Sequence, residues 1–307
     1  MRNYLLAAVA LRVASSNKFT RLSYRAIGNH LRSRRSRGYL DVQDYIKKGT
    51  ELVAICNKYD VIHPHDKILE LGTGWSHAHS LLMRLQFDVE ISMFDIADIR
   101  SLDGTISHLE ALSQSMPTST DSDGTVPTRT LDGTVLNRAL KSSSFAELYQ
   151  TLSLEYMVER DGSLAGIPDN TYQCVFSGDV LEHISADKAQ QVVNDIYRIL
   201  VPGGYSIHLI GLDDHLAHYD RKASPKNYLR YSERVWKAFF ENRLQYVNRI
   251  QASEWVRYFA NSGFACVESE TTWSQEIKDL PPVNSRYSAY SVDDLLCCRL
   301  TIVHRKP

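Results

Sequence analysis

Lys67-Ile68-Leu69-Glu70-Leu71-Gly72-Thr73-Gly74-Trp75-Ser76 decides how the rest of the chain is read. It opens with a short apolar run of the kind a buried parallel strand uses. It then breaks into two glycines one residue apart. From His77 to Leu85 the pattern turns helical, with Leu81, Leu82 and Leu85 on one face. Strand, glycine turn and helix together begin a nucleotide-binding α/β unit. Glycine lets the backbone turn tightly and lets a ligand approach with no Cβ in the way. The dinucleotide fingerprint G-x-G-x-x-G is not met, because its third glycine falls on His77.

The chain has 307 residues, enough for one elaborated α/β domain with an N-terminal appendage. Its formal net charge of −1 gives no global pull toward nucleic acid. Cys56, Cys174, Cys266, Cys297 and Cys298 are odd in number and contain no C-x-x-C, which points to reduced thiols in a cytoplasmic protein. No run is long enough to span a bilayer.

Residues 1–40 form a basic, helical segment with no acid and nine basic residues, from Arg2 and Arg12 to Arg34, Arg35 and Arg37. A targeting peptide, a helical cover with a solvated basic face, and peripheral contact with an anionic membrane all fit this segment. A domain over 41–307 follows. Asp41 to Tyr59 reads as a helix, and Val89 to Phe94 as a second strand ending at Asp95. An acid at that place can accept two hydrogen bonds from a ribose diol. About 100–155 reads as an insertion. Ser113 to Thr134 is rich in turn residues, and Asp-Gly-Thr recurs at 103–105, 123–125 and 132–134. A partly mobile lid and a plain surface loop both fit, with Phe145 to Leu154 helical. Further strands are expected at Tyr156–Val158, Tyr172–Phe176, Tyr205–Gly211, Phe264–Glu268 and Leu295–His304. Ser185, Ser232 and Ser253 read as helix N-caps.

Six features in order resemble the class I S-adenosylmethionine-dependent methyltransferases: Glu70-x-Gly72-x-Gly74, Asp95, Asp161, Pro168-Asp169-Asn170, Asp179-x-x-Glu182-His183 and Pro202-Gly203-Gly204. The resemblance covers about residues 40–305 apart from the insertion. It implies a Rossmann-like α/β fold with a seven-stranded, mostly parallel sheet, an antiparallel last strand and helices on both faces. It implies S-adenosylmethionine as cofactor. Glu70, Gly72, Thr73 and Gly74 would form its first motif, Asp95 would meet the ribose, Asp161 and Gly162 the adenine, and Gly178 and Asp179 would follow the fourth strand.

The expected reaction is methyl transfer to a small-molecule or glycan-like acceptor, at a hydroxyl. His183, His215 and His218, after the fourth and fifth strands, are the candidate bases. An enzyme of non-transfer chemistry on the same cofactor, or a silent membrane-attached module, are the alternatives. Nucleic acid is disfavoured as acceptor by the charge balance. Asp179-x-x-Glu182-His183 also resembles the metal site of quinone-biosynthesis and small-RNA O-methyltransferases. Asp179 stands where those families carry Glu, and no metal is expected here. Oligomeric state is not readable.

Overall fold

The structure is a computed structural model and describes residues 2–15, 39–115, 131–220, 222–274 and 280–307. Seven strands form one sheet: β1 (Lys67–Leu71), β2 (Glu90–Asp95), β3 (Leu154–Val158), β4 (Tyr172–Gly178), β5 (Leu200–Gly211), β6 (Ala265–Trp273) and β7 (Cys297–Arg305). Their spatial order is β3-β2-β1-β4-β5-β7-β6. The pairs among β1 to β5 are parallel, and β7 runs antiparallel to both its neighbours, β5 and β6. The order reverses between β1 and β4, and a ligand crevice opens at such a switch point beyond the carboxyl ends of the strands.

The sheet is covered on both faces because its strands are apolar on both sides. Along β1, Ile68 enters one core while Leu69 and Leu71 enter the other, the period of two expected of a strand. On the Ile68 side pack α2 (Tyr39–Lys58), α3 (Ala78–Gln86), α4 (Leu102–Ser115), α5 (Gly133–Leu140) and α6 (Phe145–Leu152). On the other side pack α7 (Ala189–Ile199) and α9 (Ala252–Asn261) through Val193, Ile196, Trp255 and Phe259.

A third apolar cluster lies apart from the sheet. It joins α1 (Arg2–Ser15) through Tyr4, Ala8 and Leu11 to α8 (Glu233–Phe239) through Trp236. Leu216, Tyr228, Leu229, Phe240 and Val247 complete it, with Tyr287, and Leu295 of α10 (Val292–Leu296). Tyr4 reaches a buried partner here, its hydroxyl donating to Asp214 Oδ2 at 2.7 Å.

Four local expectations are corrected. The segment around 100–155 is not a lid in its described part, because α4, α5 and α6 place Leu109, Leu112, Leu136, Leu148 and Leu152 in the sheet's core. Residues 116–130, with the second Asp-Gly-Thr, lie outside the described residues. Asp103-Gly104-Thr105 is not a turn but lies in the first turn of α4. Gly104 serves packing there, since a Cβ on it would lie 2.2 Å from the Trp75 ring. Ser185 does not cap α7; its hydroxyl bonds Asp187, and Lys188 stands at the cap without a side-chain bond. Ser253 lies inside α9, which begins at Gln251 with a capping box to Glu254. Ser232 does cap α8, accepting from the Val235 amide.

Candidate active site

The turn after β1 needs its glycines for two different reasons. Gly72 adopts a φ of +70°, and a Cβ there would also lie 2.5 Å from Val180. Gly74 adopts +69° with open space around it, so conformation alone calls for glycine. Its amide donates to Asp95 Oδ2 at 3.1 Å, which ties the turn to the end of β2.

Glu70 lies beneath this turn, 1 % exposed, outside the lining of the cleft above it. It accepts from the amide of Ser80 at 3.2 Å and from the Ser80 hydroxyl, with His79 Nδ1 at 3.3 Å. Burial alone would raise its pKa, but bonds from His79, Ser80 and Thr73 outweigh it and hold the carboxyl below its ordinary range. Gly178 belongs to the same brace, since the His79 ring fills the place a Cβ would take at 2.7 Å. Thr73 is also turned inward. Its hydroxyl pairs with His77 Nδ1 at 3.0 Å, and His77 Nε2 meets the Tyr149 hydroxyl of α6 at 2.8 Å. Burial pulls the His77 pKa down to about 4, so this ring is neutral.

Above the turn is a cleft of about 410 Å³. Gly72, Asp95, Asp161, Gly162, Asp179 and His183 are among its lining residues. Asp95 Oδ1 accepts from the Ile96 amide at 2.7 Å. Burial nevertheless raises the Asp95 pKa. Asp161 accepts from the Ser163 amide at 2.9 Å, and Gly162 beside it turns with a φ of +73°. Asp179, at a φ of +56°, is paired with Lys48 of α2, which also holds Asp44 at 2.7 Å. Two strand-end carboxylates beside glycine turns are groups that could hold a ribose diol and an adenine amino group.

At the far rim the three candidate histidines meet, although His183 lies well before the other two in sequence. The His183 and His215 rings lie 5.1 Å apart, and those of His215 and His218 stack at 5.5 Å. Each is in a different state. His183 Nδ1 lies 2.6 Å from the carbonyl oxygen of Tyr246, and a carbonyl only accepts, so this nitrogen carries the hydrogen. Nε2 is left as the basic atom. Burial pulls His215 down to about 4. His218 is raised, chiefly by its 2.7 Å bond to Asp213.

Glu182 is buried beside them with no hydrogen-bond partner for either oxygen. Burial first, then the nearby Asp179 and Asp213, push its pKa well up. Glu182, His183 and His215 present ligand atoms within 4.8 Å of one another and could hold a cation. Asp179 is not in this group, its charge being taken up by Lys48.

Lys48 and Asn248 carried no signal in the sequence. Asn248 staples the segment around His183, donating to the Leu181 carbonyl at 2.8 Å and the Ile184 carbonyl at 3.0 Å. Asp213 stands in the stretch 213–220 that follows the fifth strand and borders the acceptor side, and Tyr246 in the aromatic stretch after it.

This strand order, with a glycine turn and strand-end carboxylates at the switch point, is the fold that the sequence resemblance implies. Residues 130–208 match the family model described as a methyltransferase domain. The chain thus carries a methyltransferase domain, that of an enzyme whose cofactor is S-adenosylmethionine.

No curated protein matches the sequence. Solved structures of similar fold include an S-adenosylmethionine-dependent methyltransferase from Methanosarcina mazei, at 15% identity and a TM-score of 0.43, covering 81% of this chain and 95% of that one. Another is phosphoethanolamine N-methyltransferase 2 of Haemonchus contortus in complex with S-adenosylmethionine, at 14% identity and 0.46, covering 84% and 52%. The [4+2]-cyclase SpnF matches at 12% identity and 0.46, covering 84% and 81%. None of these likenesses bears on the acceptor.

Proposed function

We propose that the enzyme methylates a hydroxyl of a small hydroxylated or glycan-like molecule, with His183 as general base. The observation that carries this is the bond from His183 Nδ1 to the Tyr246 carbonyl, which makes Nε2 the ring nitrogen available as a base at the rim of the cleft. The two neighbouring histidines suit the role less well. His215 is pulled far below neutrality by burial, and a weak base gains little from a hydroxyl proton. His218 is committed to Asp213.

When bound, S-adenosylmethionine supplies a methyl group on an already activated sulfonium. The chain's own residues then hold, orient and deprotonate. Asp95 would take the ribose hydroxyls, Asp161 with the Gly162 turn the adenine, and Gly72 would admit the cofactor's backbone-facing side. Glu70, Thr73, Gly74 and Gly178 would act one step back by fixing the turn, and Asp179 would act through its pair with Lys48. His183 Nε2 would take the acceptor proton as the oxygen attacks, while the Tyr246 carbonyl steadies the imidazolium formed. Good alignment of nucleophile and methyl group is the larger part of such catalysis. We assign no metal to the reaction, because burial disfavours the charged form of Glu182 and Asp179 is already paired with Lys48.

The free state of all five cysteines supports a reducing, cytoplasmic setting. The net charge of −1 supports a small acceptor over nucleic acid. The test is incubation with methyl-labelled cofactor and fractionated cell extract. Label is expected in a small molecule as an alkali-stable methyl ether. Label in RNA or in an amine, or a rearranged product that carries no label, overturns the reading.

A further inference from the structure

The outward face of α1 is apolar where a covering helix should be polar. Tyr4, Ala8, Leu11 and Ser15 are buried against the protein. On the opposite side stand Leu6, Val9 and Val13, each 60–62 % exposed, with Leu5 at 47 % on the flank. A surface helix normally turns charged residues to solvent on that face, and a contiguous exposed apolar strip marks a contact surface. Arg12 ties α1 to α8 by donating to the Lys237 carbonyl at 2.8 Å, and Phe239 of α8 is also 63 % exposed.

The chemistry of the surroundings selects the occupant. Residues 1–40 hold nine basic side chains and no acid, in a chain whose formal net charge is only −1. An apolar strip on a helix that carries Arg2 and Arg12 and no acid, in a segment whose sequence is basic throughout, suits an anionic lipid surface. A second copy of this chain would bring the same positive segment against itself. No described helix is long and apolar enough to cross a membrane, so the contact is with its surface.

We propose that α1 docks the enzyme on an anionic bilayer through Leu6, Val9 and Val13. The helix is also fastened to the acceptor side. It packs on the short helix His215–Tyr219, and Tyr4 holds Asp214 at its start. Docking therefore sets the histidine rim beside the lipid surface.

Sedimentation of the full-length protein with vesicles tests this. One set is phosphatidylcholine alone, and the other includes phosphatidylglycerol. At least about tenfold stronger binding to the anionic set is expected, weakening as salt is raised. The double variant Val9→Asp, Val13→Asp should lose most of that binding. Both side chains are exposed, so its Tm and its calorimetric affinity for S-adenosylmethionine should stay those of the parent. Equal binding to both vesicle sets, or none, overturns the proposal. So does a concentration-dependent dimer that the double variant abolishes, which would make a second copy the occupant. Loss of folding in the double variant would also count against it, because the strip would then be structural.

Discussion

His183 gives its Nδ1 hydrogen to the carbonyl of Tyr246 at 2.6 Å, 63 residues further along the chain. The proposed base, on the loop after β4, thus takes its tautomer from a segment beyond β5. His183→Ala should lower turnover by roughly 10²–10⁴ while cofactor affinity stays nearly unchanged. His183→Gln, which keeps a donor and an acceptor but not the basicity, should be equally slow. Single-turnover rates beside calorimetric cofactor affinity check this. Full activity in His183→Gln would remove the base from the mechanism.

Asp95 is expected to govern cofactor affinity. Its carboxylate is oriented by the amides of Gly74 and Ile96 and lines the cleft. Asp95→Ala should weaken S-adenosylmethionine binding by about 1.5–3 kcal/mol for each charge-assisted bond lost. NAD should not bind the parent. Calorimetry on both proteins decides, and unchanged affinity in the variant would displace Asp95 from the ribose role.

Asp214 should tilt stability with pH. It is fully buried, and burial raises its pKa from 3.8 to about 7. A carboxyl raised on folding binds its proton more tightly in the native state. Its stabilising contribution is therefore complete below the unfolded pKa and is lost as pH rises through about 7. The change between pH 4 and 7 is on the order of 4 kcal/mol at most. Asp214→Asn should lose this part of the slope in urea unfolding measured at several pH values. Parallel slopes for variant and parent would contradict it.

Activity should survive a strong chelator. Burial disfavours the charged form of Glu182, and Asp179 already has Lys48. Glu182→Gln should leave the fold intact, since the amide keeps the shape of the carboxyl and brings no charge into the buried site. Activity lost in chelator, restored by magnesium or manganese and absent in Glu182→Gln, would instead make Glu182, His183 and His215 a cation site.

Gly72→Ala should be poorly tolerated, because its φ is +70° and Val180 lies 2.5 Å from the added carbon. Adding Val180→Ala should recover the steric part of the loss and leave the backbone part, about 1–2 kcal/mol. Thermal unfolding of the single and double variants separates the two.

The sheet was readable from the sequence where each strand carried its own apolar pattern and a turn at its end. β1, with Gly72 and Gly74, needs no distant partner to be recognised. Packing glycines gave no such signal. Gly104 and Gly178 are required by the rings of Trp75 and His79 from other elements, and only the assembled fold brings those rings in. The same limit applies to Glu70, whose spacing before Gly72 suits a ligand contact but whose buried partners are Ser80 and His79. The histidine rim was readable as three positions after two strands. The state of each ring was not, because Tyr246 and the local burial decide it.

The bond from Tyr4 to Asp214 joins residues 210 positions apart. Closing so long a loop is slow, because its entropy is lost before any contact is gained. Most pairings in the sheet join neighbours in sequence, and those of β1, β2 and β3 can form without α1. The third apolar cluster must wait for segments as distant as Tyr4, Trp236 and Leu295. The sheet that carries the Gly72 turn and Asp95 is thus joined by nearer pairings than the cluster that carries Tyr4, Trp236 and Leu295.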